Sequence, residues 1–125
     1  DFGVSPGWDE PMWRKAQEEN FFLIPGILTP SELNNVSKYD CPLIKIFPME
    51  PAGGYPYLKS LLAPFRSLGL KYLPTGGITK ELVPTYLKDP DVLTVGGSWI
   101  IPSHVLKNSH YCEITDLAKE ALSLN

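Results

Sequence analysis

Five short apolar runs recur along this chain. Each ends in a loop rich in glycine or proline and gives way to a helix-like stretch. The runs cover residues 2–4, 22–24, 43–47, 72–73 and 92–95. They begin about 20 to 30 residues apart, the length of one strand–helix unit. The loops behind them are Ser5-Pro6-Gly7, Pro25-Gly26, residues 48–54, Pro74-Thr75-Gly76-Gly77 and Gly96-Gly97-Ser98. There are 13 prolines in the 125 residues, about twice the ordinary share of roughly 5%. They are dispersed, so they punctuate many short elements and do not form a polyproline segment.

The intervening stretches carry helix signals. Thr29-Pro30-Ser31-Glu32 spells a capping box with proline at the first helical position, where hydroxyl and carboxylate satisfy orphan N–H groups reciprocally. Asp9 can cap a helix to about Glu19. Tyr57, Leu58, Leu61 and Leu62 share one face of a third helix, and Thr79 can cap a fourth through Leu87. Ile114, Leu117, Ala118, Ala121 and Leu122 follow i, i+3, i+4, i+7, i+8, so the last helix is amphipathic.

Strand–helix alternation with right-handed crossovers gives an α/β fold built on a parallel sheet. Two closures compete: an open doubly wound sheet and a (β/α)8 barrel. Five strands are too few for a barrel, which needs about 250 residues and rarely fewer than roughly 200. As barrel material the chain lacks about three leading strands. Residues 1–125 read as one domain with no internal linker. Asp1 leads directly into the first strand, so an upstream part is expected.

Composition narrows the function classes. Apolar residues make up 43% and charged residues 20% of the chain, which is globular. The longest apolar stretch, residues 21–28, is broken by Pro25 and Gly26 and cannot cross a membrane as a helix. A net charge of −3 argues against a nucleic-acid or anionic-membrane surface. Two cysteines, Cys41 and Cys112, are too few for a disulfide scaffold and suit reduced thiols in the cytoplasm. His104 and His110 have no partner at metal-ligand spacing, so no metal site is expected. Trp8, Trp13 and Trp99 read as packing residues.

Leu43-Ile44-Lys45-Ile46-Phe47 is the most informative run. Side chains alternate along a strand, so Ile44 and Ile46 share one face while Lys45 and Phe47 share the other. In a barrel the isoleucines face the helices and Lys45 faces the interior. Lost hydration there disfavours the ammonium and lowers its pKa. A neutral, desolvated amine is suited to attack a carbonyl and form a Schiff base. The competing reading pairs Lys45 with a carboxylate or lets it snorkel to water along its stem. Lys71 serves as an internal control, at the start of its own run.

The loops Thr75-Gly76-Gly77 and Gly96-Gly97-Ser98 follow the last two runs. In (β/α)8 enzymes such loops often build a phosphate site, because glycines let backbone N–H groups approach an anion and hydroxyls can add further bonds. Either loop, taken singly, also reads as an ordinary turn. Glu50 can be a general acid/base or a loop carboxylate bonded to backbone N–H groups.

Taken together these residues resemble the class I aldolases that cleave 2-keto-3-deoxy-6-phosphogluconate and 4-hydroxy-2-oxoglutarate. The resemblance rests on Val4-Ser5-Pro6-Gly7, on Ile24-Pro25-Gly26-Ile27 with Thr29 and Glu32, and on Ile44-Lys45-Ile46-Phe47-Pro48 with Glu50. It continues through Gly53-Gly54, Ala63-Pro64-Phe65, residues 73–78 and residues 95–99. It implies an incomplete (β/α)8 barrel holding about strands four to eight, a homotrimer, and no metal or cofactor beyond a covalent imine on Lys45. Lys45 matches the Schiff-base lysine. Thr75, Gly76, Gly77, Gly97 and Ser98 match the phosphate- and substrate-binding loops, and Pro6 and Phe47 match residues lining the pocket. The implied partner is a small keto-acid sugar phosphate, cleaved to pyruvate plus glyceraldehyde 3-phosphate or glyoxylate. In that family the proton-transfer glutamate, a carboxylate-binding arginine and a pocket threonine lie on earlier strands that this sequence does not contain. The isolated chain is therefore expected to be impaired, and poorly stable or oligomeric through its open edges. The alternatives are a noncatalytic phosphosugar-binding half-barrel and a phosphate-binding barrel isomerase in which Lys45 is structural.

Overall fold

The computed structural model describes residues 1–107 and 111–124. Strands and helices alternate as the apolar runs require. In chain order they are β1 (Phe2–Val4), α1 (Glu10–Glu18), β2 (Phe22–Ile24), β3 (Gly26–Ile27), α2 (Pro30–Val36), β4 (Ile44–Ile46), α3 (Gly54–Leu62), β5 (Tyr72–Pro74), α4 (Val83–Leu87), α5 (Ser103–Lys107) and α6 (Tyr111–Leu122). β1 pairs with β2, and β3, β4 and β5 pair in that order, all in parallel. Neighbouring strands are consecutive in the chain, without the order reversal that a doubly wound sheet requires. No helix among the described residues is long and apolar enough to cross a membrane.

Two stretches depart from the sequence expectation. Pro25-Gly26 is not a loop. The chain stays extended from β2 into β3, and the Pro25 carbonyl accepts the Lys45 N–H at 2.8 Å. Gly26 is required because the loop after β1 folds over it: a Cβ at Gly26 would sit 2.6 Å from the Pro6 carbonyl oxygen. Residues 92–95 do not form a strand: one isolated bridge joins Val92 to Tyr72 of β5, and a second, just beyond both segments, joins Gly96 to Thr75. The Leu93 N–H donates to the Tyr72 carbonyl at 3.0 Å and the Gly96 N–H to the Pro74 carbonyl at 2.9 Å. Pro74 has no N–H to return, so the ladder breaks between those bonds.

Helix starts follow local chemistry. The Asp9 carboxylate accepts from the Met12 N–H at the head of α1. At α2 the capping box is complete: the Glu32 N–H donates to the Thr29 hydroxyl oxygen at 3.3 Å, and the Glu32 carboxylate accepts from the Thr29 N–H at 2.8 Å. Thr79 makes no such cap. Its hydroxyl bonds the Glu81 side chain, and a 3-10 turn, Lys80–Leu82, precedes α4. Pro84 at the head of α4 explains the late start, since proline suits only the first helical turn.

The sheet has two faces. Leu23, Ile27, Ile44, Ile46 and Tyr72 join helix residues such as Leu33, Leu58, Leu62 and Tyr86 in the main core. The burial of each such large apolar side chain contributes about 1.5–3 kcal/mol. On the other face Ile24, Leu43 and Leu73 form a small separate cluster. Strand alternation puts Lys45 and Phe47 on that second face. Phe2, Val4, Phe22 and Leu93 are exposed.

At the start of β5 a charged brace holds the sheet edge. The Tyr72 N–H donates to the Asp91 carbonyl at 2.9 Å. The Arg66 guanidinium donates to both carboxylate oxygens of buried Asp89, at 2.9 and 2.7 Å, and also pairs with Asp91. Arg66 holds the Asp89 carboxyl below the ordinary carboxylate range despite burial.

Candidate functional site

Lys45 lies at the centre of β4, between Gly26 of β3 and Leu73 of β5. Neither neighbour offers a polar side chain. The amine is half-buried, and among the described residues no carboxylate pairs with it. Its contact is the Phe47 ring, whose centroid lies 4.6 Å from Nζ. Desolvation by burial pushes the Lys45 pKa down. Lys71 behaves differently: it is exposed, and its amine donates to the Pro90 carbonyl at 2.9 Å. Of the two structural roles set against a reactive amine, ion pairing finds no partner among the described residues, while the half-exposed side chain remains compatible with a stem that reaches water.

Phe47 joins the amine to the first glycine loop. A Cβ at Gly76 would lie 2.9 Å from the Phe47 ring, so the glycine backbone rests against it. Gly76 and Gly77 have φ of 97° and 82°, the left-handed region that favours glycine. Thr75 pairs with Gly96, which sets the two glycine loops side by side. Gly77 and Ser98 then line one cleft of about 320 Å³ with Thr79, Trp99 and Ser103. The backbone N–H groups of Gly76, Gly77, Gly97 and Ser98 donate to no described residue. Of these four residues Gly77 and Ser98 line the cleft, and unbonded N–H groups beside the Thr79, Ser98 and Ser103 hydroxyls can receive an anion.

The remaining expected residues take clear places. Pro6 lies over Gly26, the sheet neighbour of Lys45. Its loop is fixed by Ser5, whose hydroxyl donates to the Gly7 carbonyl at 2.7 Å and accepts from the Gly26 N–H at 3.2 Å. The Thr75 hydroxyl faces the Ile46 carbonyl at 3.4 Å, so it is turned toward β4. Glu50 accepts a hydrogen bond from the Tyr86 hydroxyl. Trp13 is buried, Trp8 stacks at a tilt on Trp13 and Tyr39, and the buried Trp99 indole N–H has no hydrogen-bond partner among the described residues. His104 contacts Glu113 at 3.3 Å, bridging α5 and α6, and His110 lies outside the described residues. Both cysteines are free thiols; burial, with Asp40 nearby, pushes Cys41 up to about 12. Among the described residues no three His, Cys, Asp or Glu side chains are grouped to hold a metal ion.

Sequence reasoning missed Thr79 and Ser103 as lining residues and Tyr86 as the partner of Glu50. Thr79 follows the glycine pair by two residues, a usable signal. Tyr86 is 36 residues from Glu50 and nothing local links them.

Residues 1–117 match the model of the KDPG and KHG aldolase family. The chain belongs to that family. The 2-dehydro-3-deoxy-phosphogluconate aldolase of Dickeya dadantii (strain 3937) is 41% identical over 122 residues, 98% of this chain and 56% of that protein. The KHG/KDPG aldolase of Escherichia coli (strain K12) is 40% identical over 121 residues, 97% of this chain and 56% of its own length. The chain thus spans little more than half of these aldolases. A crystal structure of 2-keto-3-deoxy-6-phospho-gluconate aldolase from Zymomonas mobilis ATCC 29191 superposes with a TM-score of 0.84 at 36% identity, covering 99% of this chain and 58% of that one. A Legionella pneumophila KDPG aldolase, solved with pyruvate captured as a covalent carbinolamine, matches equally well at TM-score 0.84, with 35% identity, 99% of this chain and 58% of that one covered. The matched aldolase segment takes in Lys45, both glycine loops and α6 as far as Leu117.

Proposed function

We propose that this chain carries the nucleophile and the phosphate cradle of a class I aldolase, a carbon–carbon lyase acting on 2-keto-3-deoxy-6-phosphogluconate, on 4-hydroxy-2-oxoglutarate, or on both. One observation carries the reading: a half-buried lysine amine without an ionic partner among the described residues, resting on the Phe47 ring that also backs the Gly76 loop. The consecutive parallel strand order and the superposition on solved aldolases support placing these strands as a sector of a (β/α)8 barrel. In such barrels the chemistry sits where strands end and loops begin; the first glycine loop follows the end of β5, and the second is bridged to it at Thr75 and Gly96.

The steps follow from the amine. Neutral Lys45 attacks the 2-keto carbon and forms a carbinolamine, which loses water to give a protonated imine. The C3–C4 bond then breaks. Its electron pair moves into the imine to form an enamine, while the C4 hydroxyl gives up its proton and becomes the aldehyde. Protonation of the enamine at C3 and hydrolysis release pyruvate and restore the amine. Glyceraldehyde 3-phosphate or glyoxylate is the other product. The free N–H groups of Gly76, Gly77, Gly97 and Ser98 suit the phosphate end of the longer substrate. The covalent capture of pyruvate in the Legionella neighbour supports the same first step. No described carboxylate reaches the Lys45 amine, so proton transfer is weakly served and turnover by this chain is slow while imine formation persists.

The test is pyruvate trapping with borohydride, followed by peptide mass spectrometry. An adduct on Lys45 that disappears in Lys45→Met is expected. Trapping that persists in the variant would move the chemistry elsewhere. Phosphate-ester binding without any adduct would leave a noncatalytic binding module, and indifference to pyruvate would favour an isomerase.

A further inference from the structure

Glu50 packs against the first glycine loop, and its surroundings bear on what it does there. Its backbone N–H donates to the Gly76 carbonyl at 2.9 Å, and the preceding Met49 N–H donates to the Thr75 carbonyl at 2.8 Å. The side chain fills the space that glycines leave. A Cβ on Gly77 would lie 2.7 Å from the Glu50 Cβ, and one on Gly54 would lie 3.2 Å from the Glu50 carboxylate. Both glycines have positive φ, 82° and 63°. The carboxylate is held by the hydroxyl of Tyr86, a residue 1% exposed on α4 whose ring meets Tyr55 edge-on at 5.8 Å. Glu50 does not line the cleft that holds Gly77 and Ser98.

We infer that Tyr86 is a positioning residue: acting through Glu50, it fixes the loop of residues 75–77 and keeps a negative charge turned away from the anion cleft. The inference rests on the proposed phosphate role of that loop. Two consequences of losing the Tyr86 hydroxyl act in the same direction. The loop loses the anchor of its partner residue, so the free N–H groups of Gly76 and Gly77 are less ordered for an anion. The released carboxylate is also free to swing toward the cleft, where it repels a phosphate group. Glu50 is on this account a brace and not the proton-transfer group.

Tyr86→Phe keeps the ring and its packing and removes only the hydroxyl. Glu50→Gln keeps an acceptor for Tyr86 and removes the charge. The measurements are inorganic phosphate affinity by calorimetry, amide hydrogen exchange at Met49 and Glu50 against Ile44 and Ile46, and pyruvate trapping on Lys45. In Tyr86→Phe, phosphate affinity should fall about tenfold, the scale of one charge-assisted hydrogen bond. Met49 and Glu50 exchange should speed up while Ile44 and Ile46 hold, and trapping should not change. Glu50→Gln should bind phosphate at least as well as the unaltered chain. Unchanged phosphate affinity in Tyr86→Phe overturns the inference, as does faster exchange spread evenly over all four amides. So does an unaltered chain that binds no phosphate, or a Glu50→Gln chain that binds phosphate more weakly than the unaltered one. If the unaltered chain fails to trap pyruvate, the lyase reading falls, and the brace is still decided by phosphate affinity and amide exchange.

Discussion

Replacing Lys45 with methionine separates a reactive amine from a structural one. The side chain makes no ion pair with a described residue, so the substitution removes a single cation–π contact with Phe47, worth about 0.5–1 kcal/mol. Against that loss, methionine keeps an unbranched stem and abolishes the cost of holding an ammonium away from water. The two effects oppose each other, and the net change at neutral pH should stay within about 1 kcal/mol, a shift of roughly 4 °C or less in Tm for a chain of this size. The pH dependence carries the sharper signature. The Lys45 pKa is lowered in the folded state, from an unfolded value of about 10.4. Below the folded pKa both states are protonated and the penalty is fully present. Between the folded pKa and about 10.4 the unfolded chain binds the extra proton, so stability rises with pH relative to the variant. Above that value the penalty is gone. Urea unfolding of both proteins at intervals from pH 7 to 10.5 reads the difference directly, and other alkaline titrations cancel in the subtraction. A difference that falls with rising pH would refute the reasoning, because it would mean that folding raises the pKa through a partner. A cost of about 3 kcal/mol or more, typical of a broken buried pair, would refute it equally.

Arg66→Met should cost roughly 3 kcal/mol in urea unfolding, since it strands the buried Asp89 carboxylate. Because the Asp89 pKa is depressed, its stabilisation is complete above about pH 4 and is lost as pH falls through the folded pKa; the variant should lose that acid dependence in a circular-dichroism titration. Thr75→Val and Ser98→Ala should weaken phosphorylated ligands more than they weaken pyruvate trapping, and equal losses would count against a phosphate role. Gly26→Ala places a Cβ 2.6 Å from the Pro6 carbonyl oxygen; it should cost about 1–3 kcal/mol by overpacking and slow imine formation by displacing the loop beside Lys45. Exposed Phe2, Phe22 and Leu93 should make the sedimentation-average mass rise with concentration, and a concentration-independent monomer would sink that expectation.

The alternation of elements was legible because each apolar run and each cap is local chemistry. Asp9, Thr29 and Glu32 do what their spacing requires. The errors came where the next partner decides. Pro25-Gly26 looks like a turn in one dimension, yet Pro25 can offer a carbonyl to β4 while Gly26 admits the Ser5–Pro6 backbone from above. Residues 92–95 look like a strand, but the ladder also needs an N–H from position 74, and proline has none. At the site, Lys45 with Phe47 followed from strand parity alone. The turn of the Thr75 hydroxyl toward Ile46, the lining by Thr79 and Ser103, and the hold of Tyr86 on Glu50 depend on segments tens of residues apart.

The placement of charge ties these features together. The chain is acidic, with a net charge of −3, and a carboxylate beside Lys45 would raise its pKa and leave it protonated. A carboxylate in the glycine cleft would repel an anion. The acids at the start of β5 and beside the first glycine loop each have a partner of their own. Asp89 and Asp91 are held by Arg66 at the start of β5, and Glu50 is held by Tyr86 on α4. What remains on the Lys45 face is Leu43, Leu73, Ile24 and a phenylalanine ring. An apolar face of this kind disfavours the ammonium without neutralising it through a partner, which suits a nucleophile and not a salt bridge. With Glu50 held by Tyr86, the glycine-loop N–H groups that bond no described residue are the donors proposed for a phosphate. Releasing Glu50 from Tyr86 should therefore weaken phosphate affinity and leave pyruvate trapping on Lys45 unchanged.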